Sequence, residues 1–204
     1  MIKQMKLERK TKNTIVRPYK KSDYQSWKKA YLSILPKAGN IWDITIPRKE
    51  ENLTKVAFAK ILKAQKQHRT EDYFYDFGIF LKNGNLIGGV SLMDISRQVF
   101  QNAYLGYRIF NNYWGKGYGK EAIKAAIEIA FIDLKLHRIE AGIEPRNKRS
   151  IRLAKSIGLR REGLSKKRLF LRGKWLDMAL YVATSEDFGI QPKTYIQKVV
   201  LKRF

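Results

Sequence analysis

The spacing of apolar residues changes along the chain, and it separates helical stretches from extended ones. "NTIVRPY" (13–19) is rich in β-formers and predicts a strand. After Ser22, apolar residues recur every three or four positions, which predicts a helix, and Ser22 and Gln25 fit a capping box at its start. The predicted inward face consists of Trp27, Ala30, Tyr31 and Ile34. The same spacing predicts a second helix over 53–62.

The middle of the chain is extended. Predicted strands at 73–81 and 85–95 flank Asn83-Gly84, a dipeptide typical of tight hairpin turns. A third strand is predicted at 103–110. This stretch therefore predicts neighbouring antiparallel strands.

The second half alternates helices and strands. A helix is predicted to run to about Leu134, with Ala122, Ile123, Ala126, Ile127 and Ala130 on its inward face. A strand at 137–144, a short helix N-capped by Asn147 and a hairpin around Arg172-Gly173 follow. The order predicts an α+β, or mixed α/β, fold: a mostly antiparallel twisted sheet flanked by helices, with one β-α-β unit.

Composition adds the domain organisation. The 204 residues, 44% of them hydrophobic, fit one globular domain. We expect a basic segment over 1–12, the domain over 13–188 and a basic extension over 189–204. The 42 Lys and Arg against 18 Asp and Glu give a net charge of +24, which favours anionic partners such as RNA, acidic membrane surfaces or phosphorylated cofactors. A lysine-rich surface that is simply solvated fits the same charge.

The rare residues exclude several kinds of chemistry. The sequence has no cysteine and two histidines, so neither a disulfide framework, a thiolate nucleophile nor a metal site is expected. No apolar stretch is long enough to cross a membrane, and the basic start leads into no signal-type apolar core. We therefore expect a soluble, cytoplasmic protein without a membrane partner.

Three glycines stand directly before strong helix formers in "NNYWGKGYGKEAIKAAIEIAF". Since glycine costs about 1 kcal/mol relative to alanine inside a helix, the cluster at Gly115, Gly117 and Gly119 needs a reason. A strand, a glycine turn and a helix N-terminus together form an anion site, and such a turn would let a pyrophosphate approach the amides. The lysines recurring every four residues on the helix are Lys116, Lys120 and Lys124. A loop that only needs positive φ, with its lysines in water, is the alternative.

Known phosphate-binding patterns fit this turn poorly. It lacks the Walker spacing, and the Rossmann pattern fails where Lys120 replaces the third glycine. Glu140 lies at a suitable distance for a ribose ligand, which leaves a dinucleotide site open. The chain, however, supplies one β-α-β unit where a Rossmann sheet needs several.

The two blocks "YLGYRIFNNYWGKGYGKEA" and "HRIEAGIEPRNKRSIRLAKSIGLRREG" resemble the GNAT acyltransferases, especially the RimJ/RimL group of ribosomal-protein N-terminal acetyltransferases. The family pattern [QR]-x-x-G-x-[GA] falls on Trp114 to Gly119, with tryptophan at its first position. The second block matches the N-x-x-S motif at Asn147 and Ser150 and the I-G-L ending at 157–159. The similarity extends over about residues 13–188.

This resemblance implies acetyl-CoA as co-substrate, lying between strands 103–110 and 138–144. Its pyrophosphate would lie on the turn amides, and its pantetheine arm would pair with the strand backbone. The implied cofactor-binding residues are Tyr107, Arg108, Ile109, Gly115, Lys116, Gly117, Tyr118, Gly119, Lys120 and Asn147.

The resemblance also implies catalytic roles for Ser150 and Asn147. Ser150 would assist departure of the CoA thiolate, and Asn147 would serve both as N-cap and as cofactor ligand. Many GNAT enzymes have a tyrosine seven residues after this asparagine, where this chain has Ala154, so a tyrosine acid from this helix is not expected. The carboxylates that could act as general base are Asp43, Glu140 and Glu144, each of which could equally be a solvated surface group.

The resemblance indicates an N-acetyltransferase acting on the N-terminal α-amine of a ribosomal protein. An α-amine with a pKa near 8 is roughly a quarter neutral at about pH 7.4, so it needs only a weak base. A small amine such as an antibiotic or polyamine is an alternative acceptor, although the chain has few carboxylates for a polycation. An RNA- or ribosome-associated factor on the same fold is another alternative, because a dense basic tract runs over 146–168.

Overall fold

The computed structural model describes residues 7–35, 48–171 and 173–191. The strands are β1 (Arg9–Lys10), β2 (Thr14–Arg17), β3 (Tyr75–Leu81), β4 (Leu86–Ser96), β5 (Asn102–Ile109), β6 (Arg138–Ile143), β7 (Arg160–Leu171) and β8 (Lys174–Thr184). The α-helices are α1 (Tyr24–Leu32), α2 (Lys55–Thr70), α3 (Tyr118–Glu128) and α4 (Lys148–Ser156). The strands form one sheet in the order β1-β2-β3-β4-β5-β6-β8-β7. This mixed α/β architecture confirms the predicted fold class.

The sheet combines antiparallel pairs with one parallel pair. β2 is antiparallel to β1 and β3, and β8 is antiparallel to β6 and β7. β5 and β6 are parallel and enclose α3 in sequence, which confirms the predicted β-α-β unit. Their described register covers three pairs, from Asn102↔Arg138 to Tyr104↔Glu140, whereas β5 itself continues to Ile109.

The described residues divide into two compact units. Residues 7–35, 48–91 and 106–126 form the first, and residues 92–105, 127–171 and 173–191 form the second. The core of the first unit consists of Trp27, Ala30, Tyr31, Ile34, Leu53, Phe58, Phe80, Leu86 and Phe110. Its centre is aromatic, with the rings of Trp27 and Phe58 5.2 Å apart. The predicted inward face of α1 is therefore confirmed.

The second unit has a more aliphatic core. Its buried residues include Ile129, Ala130, Leu136, Ile139, Ala154, Ile157, Leu159, Val182 and Ala183. The last turn of the predicted long helix is π-helical over Ile129–Asp133, where the Leu134 amide donates to the Ile129 carbonyl. This confirms the predicted helix end near Leu134.

The start of α1 differs from the prediction. The predicted capping box at Ser22 and Gln25 is wrong, because a 3-10 turn over Lys21–Asp23 precedes α1. Asp23 is the buried anchor there: it accepts from the Lys20 amide at 2.7 Å and from both guanidinium nitrogens of Arg17 at 2.6 and 2.8 Å. A bidentate pair of this kind holds a turn more firmly than a hydroxyl cap can.

Several expectations concern segments at the edges of the described chain. β1 lies within the predicted basic segment 1–12, where no strand was expected because Arg9 and Lys10 show no apolar alternation. Asp43 and residues 192–204 lie outside the described residues.

The hairpin predicted around residues 172–173 is confirmed by the register Leu171↔Lys174, with Gly173 at a φ of 75°.

Candidate active site

The end of β5 lies against β4 at a place where a side chain would not fit. A Cβ built on Gly88 of β4 would lie 2.2 Å from the Arg108 carbonyl oxygen and 3.0 Å from the Ile109 Cα. The Phe110 amide donates to the Ile87 carbonyl at 2.9 Å, which holds the chain at this point. Gly88 therefore positions the segment 107–109. The sequence reasoning missed this role, although a glycine pair inside a strand indicates a close backbone approach.

The glycine turn follows directly. The Trp114 indole Nε1 donates to the Ile109 carbonyl at 2.8 Å, which ties the turn back to β5. Gly115 and Gly117 have φ angles of 78° and 77°, a conformation that residues with a Cβ rarely adopt. Apart from the glycine itself and its two chain neighbours, no atom of the described residues lies within 4 Å of a Cβ built on either glycine. The turn thus combines positive φ with open space beside the backbone.

Helix α3 begins inside the same motif. Tyr118, Gly119 and Lys120 are its first three residues, and the Lys120 amide donates to the Gly117 carbonyl at 3.1 Å. The first amides of a helix have no intrahelical acceptors and carry the positive end of its dipole. The exposed lysines of the turn and the helix are Lys116, Lys120 and Lys124. This arrangement suits a pyrophosphate, so the residues present fit the phosphate part of a CoA molecule.

Arg108 lies next to a pair of tyrosines. Its guanidinium donates to the Tyr31 hydroxyl at 2.9 Å and lies 5.4 Å from the centre of the Phe110 ring. Tyr19 packs edge-on against Phe80, with the rings 5.9 Å apart. Burial and the neighbouring Tyr31 raise the pKa of Tyr19 far above its ordinary value, against an opposing effect of Arg108. Its hydroxyl therefore stays protonated and can donate a hydrogen bond.

Asp76 is a half-buried carboxyl that the sequence reasoning missed. The Ser91 hydroxyl donates to Asp76 Oδ1 at 2.5 Å. Burial raises the pKa of Asp76, while the Ser91 hydrogen bond and the charges of His68 and Arg69 oppose that rise. The charge of Asp76 raises the pKa of Tyr19, whereas that of Arg108 lowers it. A lone carboxylate within the apolar strand sequence "YDFGIFL" was the available signal.

Two buried nitrogens lie in the surroundings of this carboxyl. His68 Nδ1 and Arg69 Nη1 have no hydrogen-bond partner within the described part of the chain. Burial lowers the pKa of Arg69, and the charges of Tyr75 and Asp76 oppose this. Buried polar groups of this kind are commonly satisfied by ordered water.

The second unit contains the predicted catalytic residues. Asn147 caps α4, its Oδ1 accepting from the Ser150 amide at 3.1 Å, so its predicted N-cap role is confirmed. Ser150 is the third residue of α4. Position 154 is a fully buried alanine, whose methyl side chain has no proton to donate.

The other carboxylates named from the sequence have different surroundings. Glu140 accepts from Arg138 Nε at 2.8 Å, and the same guanidinium binds both oxygens of Glu162 at 3.1 and 2.5 Å. This hydrogen bonding by Arg138 lowers the pKa of Glu162. Glu140 is thus held in an ion pair, and Glu144 lies just beyond the end of β6.

The basic tract 146–168 is exposed along most of its length. Part of its charge is matched internally, because Arg160 forms ion pairs with Asp187 and Glu162. Arg168 donates to the Tyr104 hydroxyl at 2.6 Å and lies over that ring. The remaining charge leaves a strongly positive surface.

Comparison with known proteins identifies the family. The model of the acetyltransferase (GNAT) domain matches residues 13–160, which is most of the chain. The chain belongs to the GNAT acetyltransferases. It is therefore an acyltransferase, and enzymes of this family use acetyl-CoA as acetyl donor, as expected.

Individual relatives agree with this assignment. The probable N-acetyltransferase YjcK of Bacillus subtilis (strain 168) is 36% identical over 141 residues, 69% of this GNAT chain and 78% of that protein. The [ribosomal protein uS5]-alanine N-acetyltransferase of Escherichia coli (strain K12) is 36% identical over 122 residues, 59% of this chain and 62% of that enzyme. This second match therefore spans less than two thirds of the E. coli enzyme.

Solved structures show the same fold. The ribosomal-protein-S5-alanine acetyltransferase from Vibrio fischeri superposes with a TM-score of 0.71 at 26% identity, covering 88% of this chain and 97% of that one.

Within the described residues, none of the helices of this GNAT protein has the length and apolarity needed to cross a membrane.

Proposed function

We propose that this enzyme transfers the acetyl group of acetyl-CoA to the N-terminal α-amine of a ribosomal protein. The observation that carries the proposal is the 36% identity to the E. coli enzyme named for alanine acetylation of ribosomal protein uS5. The likeness to the Vibrio fischeri S5-alanine acetyltransferase points the same way.

We place the phosphates of acetyl-CoA on the turn and helix start over 115–120. Support comes from the positive φ of Gly115 and Gly117, the open space beside them and the exposed lysines around them. In this proposal the backbone of Tyr107, Arg108 and Ile109 pairs with the pantetheine arm. We also propose Asn147 as a cofactor ligand, because its N-x-x-S motif resembles that of the GNAT family. Gly88 supports the site indirectly, because it sets the position of the β5 backbone.

The chemistry asked of the protein is modest. An amine attacks a thioester carbonyl, and a fixed backbone amide can stabilise the negative charge that develops on its oxygen. Holding the two reactants in register supplies much of the remaining acceleration. We propose that the Ser150 hydroxyl donates to the departing thiolate, and that Asn147 fixes the helix turn from which Ser150 projects.

The amine must also lose a proton. Among the described carboxylates, Asp76 has surroundings suited to this step, because burial raises its pKa and Ser91 orients it. We therefore propose Asp76 as the proton acceptor, in place of Glu140, which is held by Arg138.

The proposed acceptor is tested by measuring CoA release with matched amines. The panel contains peptides with the N-terminal sequences of ribosomal proteins, the same peptides with a blocked N-terminus, and spermidine and an aminoglycoside as small amines. We expect turnover with an alanine-started ribosomal peptide and none with its blocked form. Faster turnover with a small amine than with any peptide would contradict the ribosomal acceptor while leaving the acetyltransferase assignment intact.

We further propose that the basic surface brings the enzyme to ribosomes. The support is the net charge of +24 and the exposed tract over 146–168. Binding of this kind releases counterions and weakens steeply as salt rises. Co-sedimentation with ribosomes at several salt concentrations, with bulk RNA as competitor, tests the proposal. Equal binding to both polyanions would reduce it to nonspecific attraction.

A further inference from the structure

The hairpin formed by β7 and β8 exposes an aromatic pair near its tip. β7 is the last strand of the sheet, and Phe170 pairs with Trp175 across the hairpin. The Phe170 side chain is 57% exposed and that of Trp175 is 59% exposed. Further exposed apolar residues of β7 are Leu164, Leu169 and Leu171. An apolar surface of this size on a soluble domain marks a place of contact.

The faces of the two rings do not cover each other. Their centres are 5.4 Å apart and their planes are inclined at 59°, so they do not cover each other face to face. A cross-strand aromatic pair stabilises a hairpin, but rings that are largely buried stabilise it as well, so this role does not explain the exposure. The exposure of both rings therefore calls for a partner with flat apolar faces.

The charge around the rings is predominantly positive. Residues 163–177 contain five Lys or Arg and one acid, Asp177, whose carboxylate accepts from the Lys167 amide at 2.8 Å, so the balance remains strongly positive. Lys166, Lys167 and Lys174 are exposed, whereas Arg168 is engaged with Tyr104. The partner that matches this surface combines flat apolar groups with closely spaced negative charge.

We propose that this hairpin tip binds single-stranded RNA. Unpaired bases stack on Phe170 and Trp175, and the backbone phosphates lie against Lys166, Lys167 and Lys174. Aromatic rings set among basic residues are the usual platform for single strands, because every base has a stacking face. This inference deepens the proposed ribosome association by naming the surface and the form of RNA; its test uses RNA alone, so its failure leaves the acetyl acceptor unaffected.

The same features argue against a second copy of the chain on this surface. Two hairpin tips would bring their basic residues together, five Lys or Arg on each, with the single carboxylate of Asp177 to offset them. Lysines on an edge strand also oppose strand addition. An acidic protein partner would match the charge, but it would not require the two flat faces.

Binding is measured by fluorescence anisotropy with a labelled oligouridine and with a duplex RNA of the same length, at several salt concentrations. We expect the double variant F170A/W175A to bind the oligouridine about tenfold more weakly or worse, since stacking on each ring contributes. Duplex binding and acetyl-CoA affinity stay unchanged. The exposed Phe100→Ala is the matched aromatic control and keeps wild-type binding. F170Y/W175Y preserves two stacking rings and retains most of the affinity, which separates stacking from damage to the hairpin.

The charge component has its own control. Replacing Lys166, Lys167 and Lys174 by Gln should reduce the salt dependence, the slope of log K against log salt, by about 2, at about 0.7 per phosphate. The control replaces three exposed lysines of α2, Lys60, Lys63 and Lys66, and leaves the slope nearly unchanged. Wild-type oligouridine binding by F170A/W175A, or an equal slope change in the α2 control, overturns the proposal. A change of oligomeric state in sedimentation velocity, with RNA binding intact, reassigns the surface to self-association.

Discussion

Replacing Gly88 by alanine adds one methyl group at the most crowded point of the candidate site. That methyl carbon would lie 2.2 Å from the Arg108 carbonyl oxygen, so the β5 backbone must move. Forcing an extra carbon into a packed interior costs about 1–3 kcal/mol. For a chain of this size, each kcal/mol lowers Tm by about 2–4 °C, so we expect Gly88→Ala to lower Tm by about 2–12 °C. The displaced segment is the one proposed to contact acetyl-CoA, so its affinity falls as well.

The adjacent Gly89 provides the matched control. A Cβ on Gly89 meets only the Phe77 carbonyl oxygen, at 3.4 Å, which is ordinary contact. Gly→Ala at a compatible position stabilises by about 0.4–1 kcal/mol through the unfolded chain, so Gly89→Ala keeps or slightly raises Tm. Thermal unfolding and calorimetric titration with CoA compare the two variants. Equal Tm values and equal CoA affinities would refute the crowding argument for Gly88.

Three further predictions concern the proposed chemistry. In Gly117→Asn the new residue can still adopt positive φ, but its side chain fills the space proposed for the phosphates, so we expect calorimetry to show about tenfold weaker CoA binding. The control Gly84→Asn, at a φ of 86° in a hairpin turn, leaves CoA binding unchanged. Ser150→Ala lowers kcat more than it weakens CoA binding, and Ser156→Ala, at the end of the same helix, changes neither; an unaltered kcat would limit Ser150 to its place in the helix. Asp76→Asn abolishes most turnover yet raises Tm at neutral pH, because burial raises the pKa of Asp76 and its charged form destabilises the fold. The gain in Tm is fully present at pH values above the raised pKa and disappears as the pH falls to the ordinary pKa of an aspartate. Full activity of Asp76→Asn would exclude Asp76 as the general base.

The glycine turn was predictable from sequence because its signals are local. Gly115 and Gly117 stand between a strand and a helix pattern, and both have the positive φ that such clustering indicates. The N-cap at Asn147 is similarly local. These are places where the backbone itself dictates the residue type.

The rest of the candidate site depends on contacts between distant segments. Asp76 and Ser91 belong to different strands, and Arg108 meets Tyr31 across 77 positions of sequence. Nothing in the local pattern around Gly88 says whose carbonyl occupies its side-chain space. The capping box predicted at Ser22 was wrong for a similar reason: Arg17, outside the helix, donates to Asp23 and fixes the turn there.

The buried methyl group of Ala154 bears on how the enzyme responds to alkaline solution. A GNAT enzyme that protonates its leaving thiolate from a tyrosine loses that acid as the phenol ionises, at a pKa of about 10. Here α4 has a fully buried alanine at that position, and the Ser150 hydroxyl proposed to hydrogen-bond the departing thiolate does not ionise in this range. At saturating acetyl-CoA, kcat should therefore show no descending alkaline limb from the ionisation of a phenol on this helix.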